Sequence, residues 1–217
     1  MKFIKDPAEE TTAVTDVILA IVAFGGVAFL QAFLLSSNEL WKINIWSTAM
    51  GLIGLAAALG AAAHGLVLSR ILHRRIWLAL NMALSLAVSL FVVGVVYDLW
   101  GFEISLATLP ILLTAGLGFY LTTLIYPGIF FLFIVYEVVA LVFALGAYIF
   151  IAIHQDLPGA WLMATGIFVS IIAAGIQANK SVFITVIWRF DHNGIYHLVQ
   201  MVGLMLLLMG LRRSVLY

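Results

Sequence analysis

Apolar residues run in blocks of about twenty or more, separated by short polar or turn-forming segments, and each block is long enough to cross the hydrocarbon core as a helix. The first block runs from about Ala13 to Leu35 and ends at the polar SSNE turn. The second covers about Ser47 to Leu68 and ends in SRILHRR; the third runs from about Ile76 to Val96 and stops at Tyr97-Asp98. The fourth spans about Ile104 to Tyr126, with Pro127-Gly128 marking a tight turn after it. The fifth covers about Ile129 to Ile153 before HQDLPG, the sixth about Ala160 to Ala178, and the seventh about Asn193 to Leu211. Residues 179–191 could lengthen either neighbouring helix. The pattern predicts an all-α integral membrane protein, one seven-transmembrane helix bundle over residues 1–217, with connections too short for a second domain. The first apolar run is too long and too poorly punctuated for a removable signal peptide, so it reads as a span.

Composition agrees. Of 217 residues, 65% are hydrophobic and only 9% charged, where a soluble domain carries roughly a quarter charged residues. Lipid must therefore cover most of the exterior. A formal net charge of zero gives no argument for a nucleic-acid partner. The absence of cysteine excludes disulfides, a thiol nucleophile and Cys-type zinc sites.

Basic residues set the expected orientation. The side holding the N-terminus carries Lys2, Lys5, Arg70, Arg74, Arg75, Lys180 and Arg189; the other carries Lys42, Arg212 and Arg213. Seven against three places the N-terminus in the cytoplasm and the C-terminus outside, with a bacterial inner membrane as the expected location. Trp41, Trp46, Trp77, Trp100, Trp161 and Trp188 fall near span ends, as an interfacial aromatic belt requires.

Ionisable and strongly polar side chains inside a bilayer are costly, so each asks for a partner. The segment FDHNGIYHLVQ, residues 190–200, sets Asp191, His192, Asn193, His197 and Gln200 at the start of the seventh span. His64 in AAAHG ends the second span, Asp16 opens the first, and Asn81 lies one turn into the third, all on the N-terminal side. Three imidazoles at one depth suit Zn²⁺, whose catalytic sites use three protein ligands and leave a position for water. His192 and His197 are five apart, about 140° round a helix. Both could bind one ion only if His192 sits on the turn before the helix, a turn that capping by Asp191 or Asn193 would produce. A histidine at a span end otherwise snorkels to the interface or bonds a backbone carbonyl. Glu137, in the middle of the fifth span, is the kind of residue that proton relays use, or equally a protonated carboxyl bonded to a neighbouring helix. Asp98 and Glu103 bracket a loop and read as solvated; His73 and His154 read as interface anchors.

With seven spans, AAAHG and NGIYHLVQ, the chain resembles the CREST superfamily of seven-span hydrolases, which includes alkaline ceramidases, progestin and adipoQ receptors and hemolysin III-like proteins. His64 matches that family's second-span histidine, and His197 the second of its paired seventh-span histidines. The pattern departs at Gly60, where the family has Ser, at Asn81, in the place of its third-span Asp, and at Asn193, in the place of the first paired His, with His192 displaced by one. The resemblance implies either a zinc site of His64, His192 and His197 with shifted geometry, or a degenerate one. An active site would use zinc-bound water against the amide of a membrane lipid with a long acyl chain, with Asp16 and Asp191 as acid/base candidates, since Asn81 cannot titrate.

The rival class is a non-enzymatic receptor, small transporter or accessory subunit, which Glu137 and the missing Ser and Asp favour. No inverted repeat of the transporter kind is evident, and no lysine lies inside the seventh span to form a retinal Schiff base.

Overall fold

A computed structural model describes residues 2–34, 37–126 and 130–216, the side chain of Phe130 excepted. Leu35 and Ser36 at the end of the expected first span, the Pro127-Gly128 turn and the Ile129 start of the fifth span lie outside the described residues. Seven helices appear among those described: α1 (Pro7–Gln31), α2 (Leu40–Gly65), α3 (Arg70–Trp100), α4 (Phe102–Ile125), α5 (Phe130–His154), α6 (Ala160–Ala178) and α7 (His192–Leu216). All seven are long and apolar enough to cross a membrane. The 179–191 segment lengthens neither neighbour: β1 (Phe183–Thr185) and β2 (Arg189–Asp191) pair antiparallel as a hairpin.

Local chemistry sets the helix starts. Asp6 caps α1 by accepting from the backbone N–H groups of Ala8 and Glu9 at 2.8 and 3.3 Å, Pro7 fills the first helical position, and Glu9 and Glu10 complement the helix dipole. Ser69 caps α3 through Leu72 N–H at 3.3 Å. Gly101 alone joins α3 to α4 at φ 84°, a conformation that favours glycine. Before α1, Lys2–Ile4 runs along the end of α2: Ile4 N–H donates to the Gly65 carbonyl (3.1 Å) and Val67 N–H to that of Lys2 (2.9 Å).

Six helices close into a ring. α1 packs on α2 and α7, α2 on α3, α3 on α5, α5 on α6, and α6 on α7. α4 stands outside, against α3. Only Ser105 and Gly116 of α4 are buried, while Phe102, Ile104, Ile111, Leu117 and Leu121 stay exposed. That surface is stable in lipid and not in water. Small residues let α4 approach: Trp41 Nε1 donates to Ser105 Oγ at 2.9 Å, and Ser89 Oγ donates to the Leu112 carbonyl at 2.8 Å. The α6–α7 seam is tighter still, because a Cβ added at Gly166 would lie 2.7 Å from the Gly203 carbonyl oxygen.

Two sequence expectations change here. Trp46 is not part of an interfacial belt; it is 1% exposed, stacked edge-on to Phe91 in the core, because seven residues into α2 already lies inside the ring. Trp100, Trp161 and Trp188 remain exposed. Nor is Asp98 solvated: Lys42 Nζ reaches its Oδ1 at 2.6 Å with side chains 1% and 2% exposed, and Tyr148 O–H donates to its Oδ2 at 2.7 Å. Beside them Tyr97 O–H donates to Glu39 at 2.6 Å. α3 continues past Val96 to Trp100, which carries Asp98 into the bundle.

Candidate functional site

The ring encloses a cavity of about 460 Å³, lined by residues of α1, α2, α3, α5, α6 and α7 and by none of α4. Ligand pockets usually fall in a range of about 300–1,000 Å³. Helix segments towards the N-terminal side supply most of its polar residues, and the walls towards the other side are apolar: Trp46, Met50, Phe91, Leu204 and Leu207.

At the polar end α7 presents His197 to α1. Its Nε2 lies 3.2 Å from Asp16 Oδ1 and its Nδ1 3.0 Å from Thr15 Oγ1; the His197 and Asp16 side chains are 8% and 5% exposed. Thr15 Oγ1 is also 2.9 Å from the Thr12 carbonyl. If the hydroxyl donates there, Nδ1–H donates to Thr15 and a proton must sit between Nε2 and Oδ1 to keep two acceptors from facing each other. If the hydroxyl donates to Nδ1 instead, Nε2–H donates to Asp16. Either tautomer holds one proton between His197 and Asp16. The pair exists because Thr12, Thr15, Asp16 and Leu19 form the buried face of α1 at helical spacing.

Gly60 makes room for it. A Cβ at that position would lie 2.8 and 2.9 Å from the two Asp16 oxygens, so the room that Gly60 leaves is taken by the carboxyl group of α1.

Asp191 works as a cap. Its Oδ1 accepts from Asn193 N–H (3.0 Å), Gly194 N–H (2.9 Å) and Thr12 O–H (2.9 Å), starting α7 and tying it to α1. Three donors on one oxygen leave it poorly suited to a free acid/base. α7 begins at His192 itself, whose Nδ1 stands 3.8 Å from Asp191 Oδ2. His64 Nδ1 donates to Glu9 Oε2 at 2.7 Å, and its ring meets Trp77 edge-on.

His64, His192, Asn193, His197, Gln200, Glu137 and Asp16 all line the cavity. Asn81 does not; it is half-buried on α3, and the α3 residues that do line it are Trp77 and apolar ones such as Leu84 and Phe91. Gln177, Tyr196 and Lys180 join the lining without having been anticipated. Gln177 had a readable signal: Met163, Ile167, Ser170, Ala174 and Gln177 repeat at alternating spacings of four and three along the buried face of α6. Tyr196 lies within electrostatic reach of both Asp16 and Glu137.

Among the described residues, buried polar atoms without a protein partner concentrate here. Asp16 Oδ2, Glu137 Oε2, Gln177 Oε1, Gln200 Oε1 and Trp46 Nε1 all belong to lining residues. Such atoms are usually satisfied in folded proteins, and several around one cavity point to something that satisfies them.

The zinc expectation can be tested on donor placement. Zinc needs free imidazole nitrogens near 2.1 Å from one point. His197 has both nitrogens engaged, His64 keeps only Nε2, and among the described residues no three His, Cys, Asp or Glu side chains are grouped to hold a metal ion. A zinc shared by the three histidines would require His197 to give up one of these contacts.

Residues 11–215 match the model of a family described as a family of unknown function (DUF6962), and the chain belongs to that family. No curated protein and no solved structure matches it.

Proposed function

We propose that this family member binds an amphipathic, lipid-like molecule inside its six-helix ring. The observation that carries the reading is the cavity itself, apolar on one side and edged by unpartnered buried polar atoms on the other. The apolar chain would lie against Trp46, Met50 and Phe91, and the polar end against Asp16, Glu137, Gln177 and Gln200. Burial of each methylene contributes about 0.8 kcal/mol, so an alkyl chain supplies affinity while the polar groups fix orientation. The His197–Asp16 proton gives the site a group that can donate to or accept from the bound molecule.

The test is lipid analysis of protein extracted into polymer nanodiscs. Wild type is expected to retain a bound amphiphile through purification. Gly60→Ser should lower the bound fraction and cost about 1–2 kcal/mol of stability, since its new side chain displaces the Asp16 carboxyl. A wild-type protein with nothing bound, and taking up none of a panel of amphiphiles, would remove the reading. Stoichiometric zinc lost in both His64→Ala and His197→Ala would instead favour the amide-hydrolase class of the resembling family, with those rings rearranged.

Orientation belongs to the same proposal. With Lys42 buried in an ion pair, the side opposite the N-terminus keeps Arg212 and Arg213, at the end of α7, as its exposed Lys and Arg residues, which supports a cytoplasmic N-terminus. The chain contains no cysteine, so Lys5→Cys and Asp156→Cys report cleanly. In intact cells an impermeant maleimide should label position 156 and spare position 5; the reverse pattern inverts the topology.

A further inference from the structure

We infer that the polar end of the cavity selects a hydrogen-bond-donating head, a protonated primary amine on an alkyl chain; this rests on the amphiphile-binding reading above. Of the five unpartnered buried atoms that the described residues place around the cavity, four are oxygens able to accept: Asp16 Oδ2, Glu137 Oε2, Gln177 Oε1 and Gln200 Oε1. Asp16, Gln177 and Gln200 are 4%, 8% and 9% exposed, so water at the protein surface does not satisfy them. The fifth, Trp46 Nε1, sits deeper and packs on Gly94, where an added Cβ would lie 2.7 Å away.

Four helices supply these acceptors: α1, α5, α6 and α7. Glutamine amides can rotate to offer their NH₂ groups, whereas a carboxyl group that has given up its proton only accepts. Two carboxyl groups share the end of the cavity, and Tyr196 lies in the field of both. An ammonium carries three donors, and its charge beside them favours the ionised form of the two carboxyl groups, so it meets the acceptors in number and, once bound, in sign. A carboxylate or phosphate head would add an acceptor among acceptors. A quaternary ammonium would match the charge and leave every oxygen without a hydrogen. Lys180 also lines the cavity but is exposed, and its ammonium bonds none of these oxygens.

The measurement is ligand-dependent thermal stabilisation of the full chain in a fixed detergent, with affinity taken from the concentration dependence. The probes are dodecylamine, dodecanol, N-dodecylacetamide, dodecyltrimethylammonium and dodecanoic acid, which share a chain and differ in the head. Dodecylamine is expected to bind roughly tenfold or more tighter than the alcohol and the trimethylammonium, as charge-assisted donors to buried acceptors predict. Gln177→Leu with Gln200→Leu should shrink that preference by weakening dodecylamine more than dodecanol. Equal binding of amine and trimethylammonium, or tighter binding of the fatty acid, overturns the amine head while the cavity reading stands. If no probe binds and the purified protein carries no lipid, both fall.

Discussion

Lys42→Met is expected to destabilise the protein by about 3–5 kcal/mol, because it leaves the Asp98 carboxylate buried with its cation removed. The side chains of the pair are 1% and 2% exposed, and Tyr148, which donates to the same carboxylate, is fully buried. The double variant Lys42→Met with Asp98→Leu removes both charges and should recover most of the loss, since apolar replacements of a buried pair are often neutral or better. Thermal unfolding in detergent checks this. Equal losses in the single and double variants would show that Lys42 matters for packing alone.

Gly203→Leu is expected to cost about 3 kcal/mol or more and to separate α6 from α7. A Cβ at Gly203 would meet Ser170 Oγ at 2.7 Å, the Gly166 carbonyl oxygen at 2.9 Å and Ser170 N at 3.3 Å. The serine hydroxyl can turn away, but the other two contacts are backbone. Overpacking usually costs about 1–3 kcal/mol where side chains can yield; here a helix must move instead. Moving α7 also shifts Tyr196, His197 and Gln200, so bound amphiphile should fall together with the melting temperature. A variant that kept wild-type stability would mean the two helices do not rely on the close glycine approach. Gly25, with nothing within 4 Å of its added Cβ, provides the control: Gly25→Ala should be tolerated.

The polar cluster of the seventh helix could be read from its sequence because charge and amide groups are rare in an apolar chain, and rarity marks them wherever they fold. Their partners could not be read in that way. Asp16 and His197 lie far apart in the chain and meet only because α1 packs on α7. Asn81 has the right depth but misses the cavity, since depth is set by position along the helix and facing by its rotation against neighbours. Asp191 looks like an acid/base candidate by type, and its three donors make it a cap. Lys42 and Asp98 illustrate the same limit from the other direction: each sits near a span end, where solvation is the default reading, yet they neutralise each other inside the bundle.

By itself the sequence determined that seven helices are long and apolar enough to span a membrane, with the sixth bounded at Ala160 and Ala178 as observed. Apolar length and the lack of charge decide that much, because the bilayer is a solvent whose thickness is read off the chain one segment at a time. Only the tertiary structure decided which six helices close the ring, that α4 stays outside it, and which histidine meets which carboxylate. In lipid every apolar face is equally well solvated, so hydropathy carries little information about rotation or neighbour choice. Those follow from small-residue contacts such as Gly166 with Gly203, and from buried polar pairs that are satisfied in one arrangement of the helices.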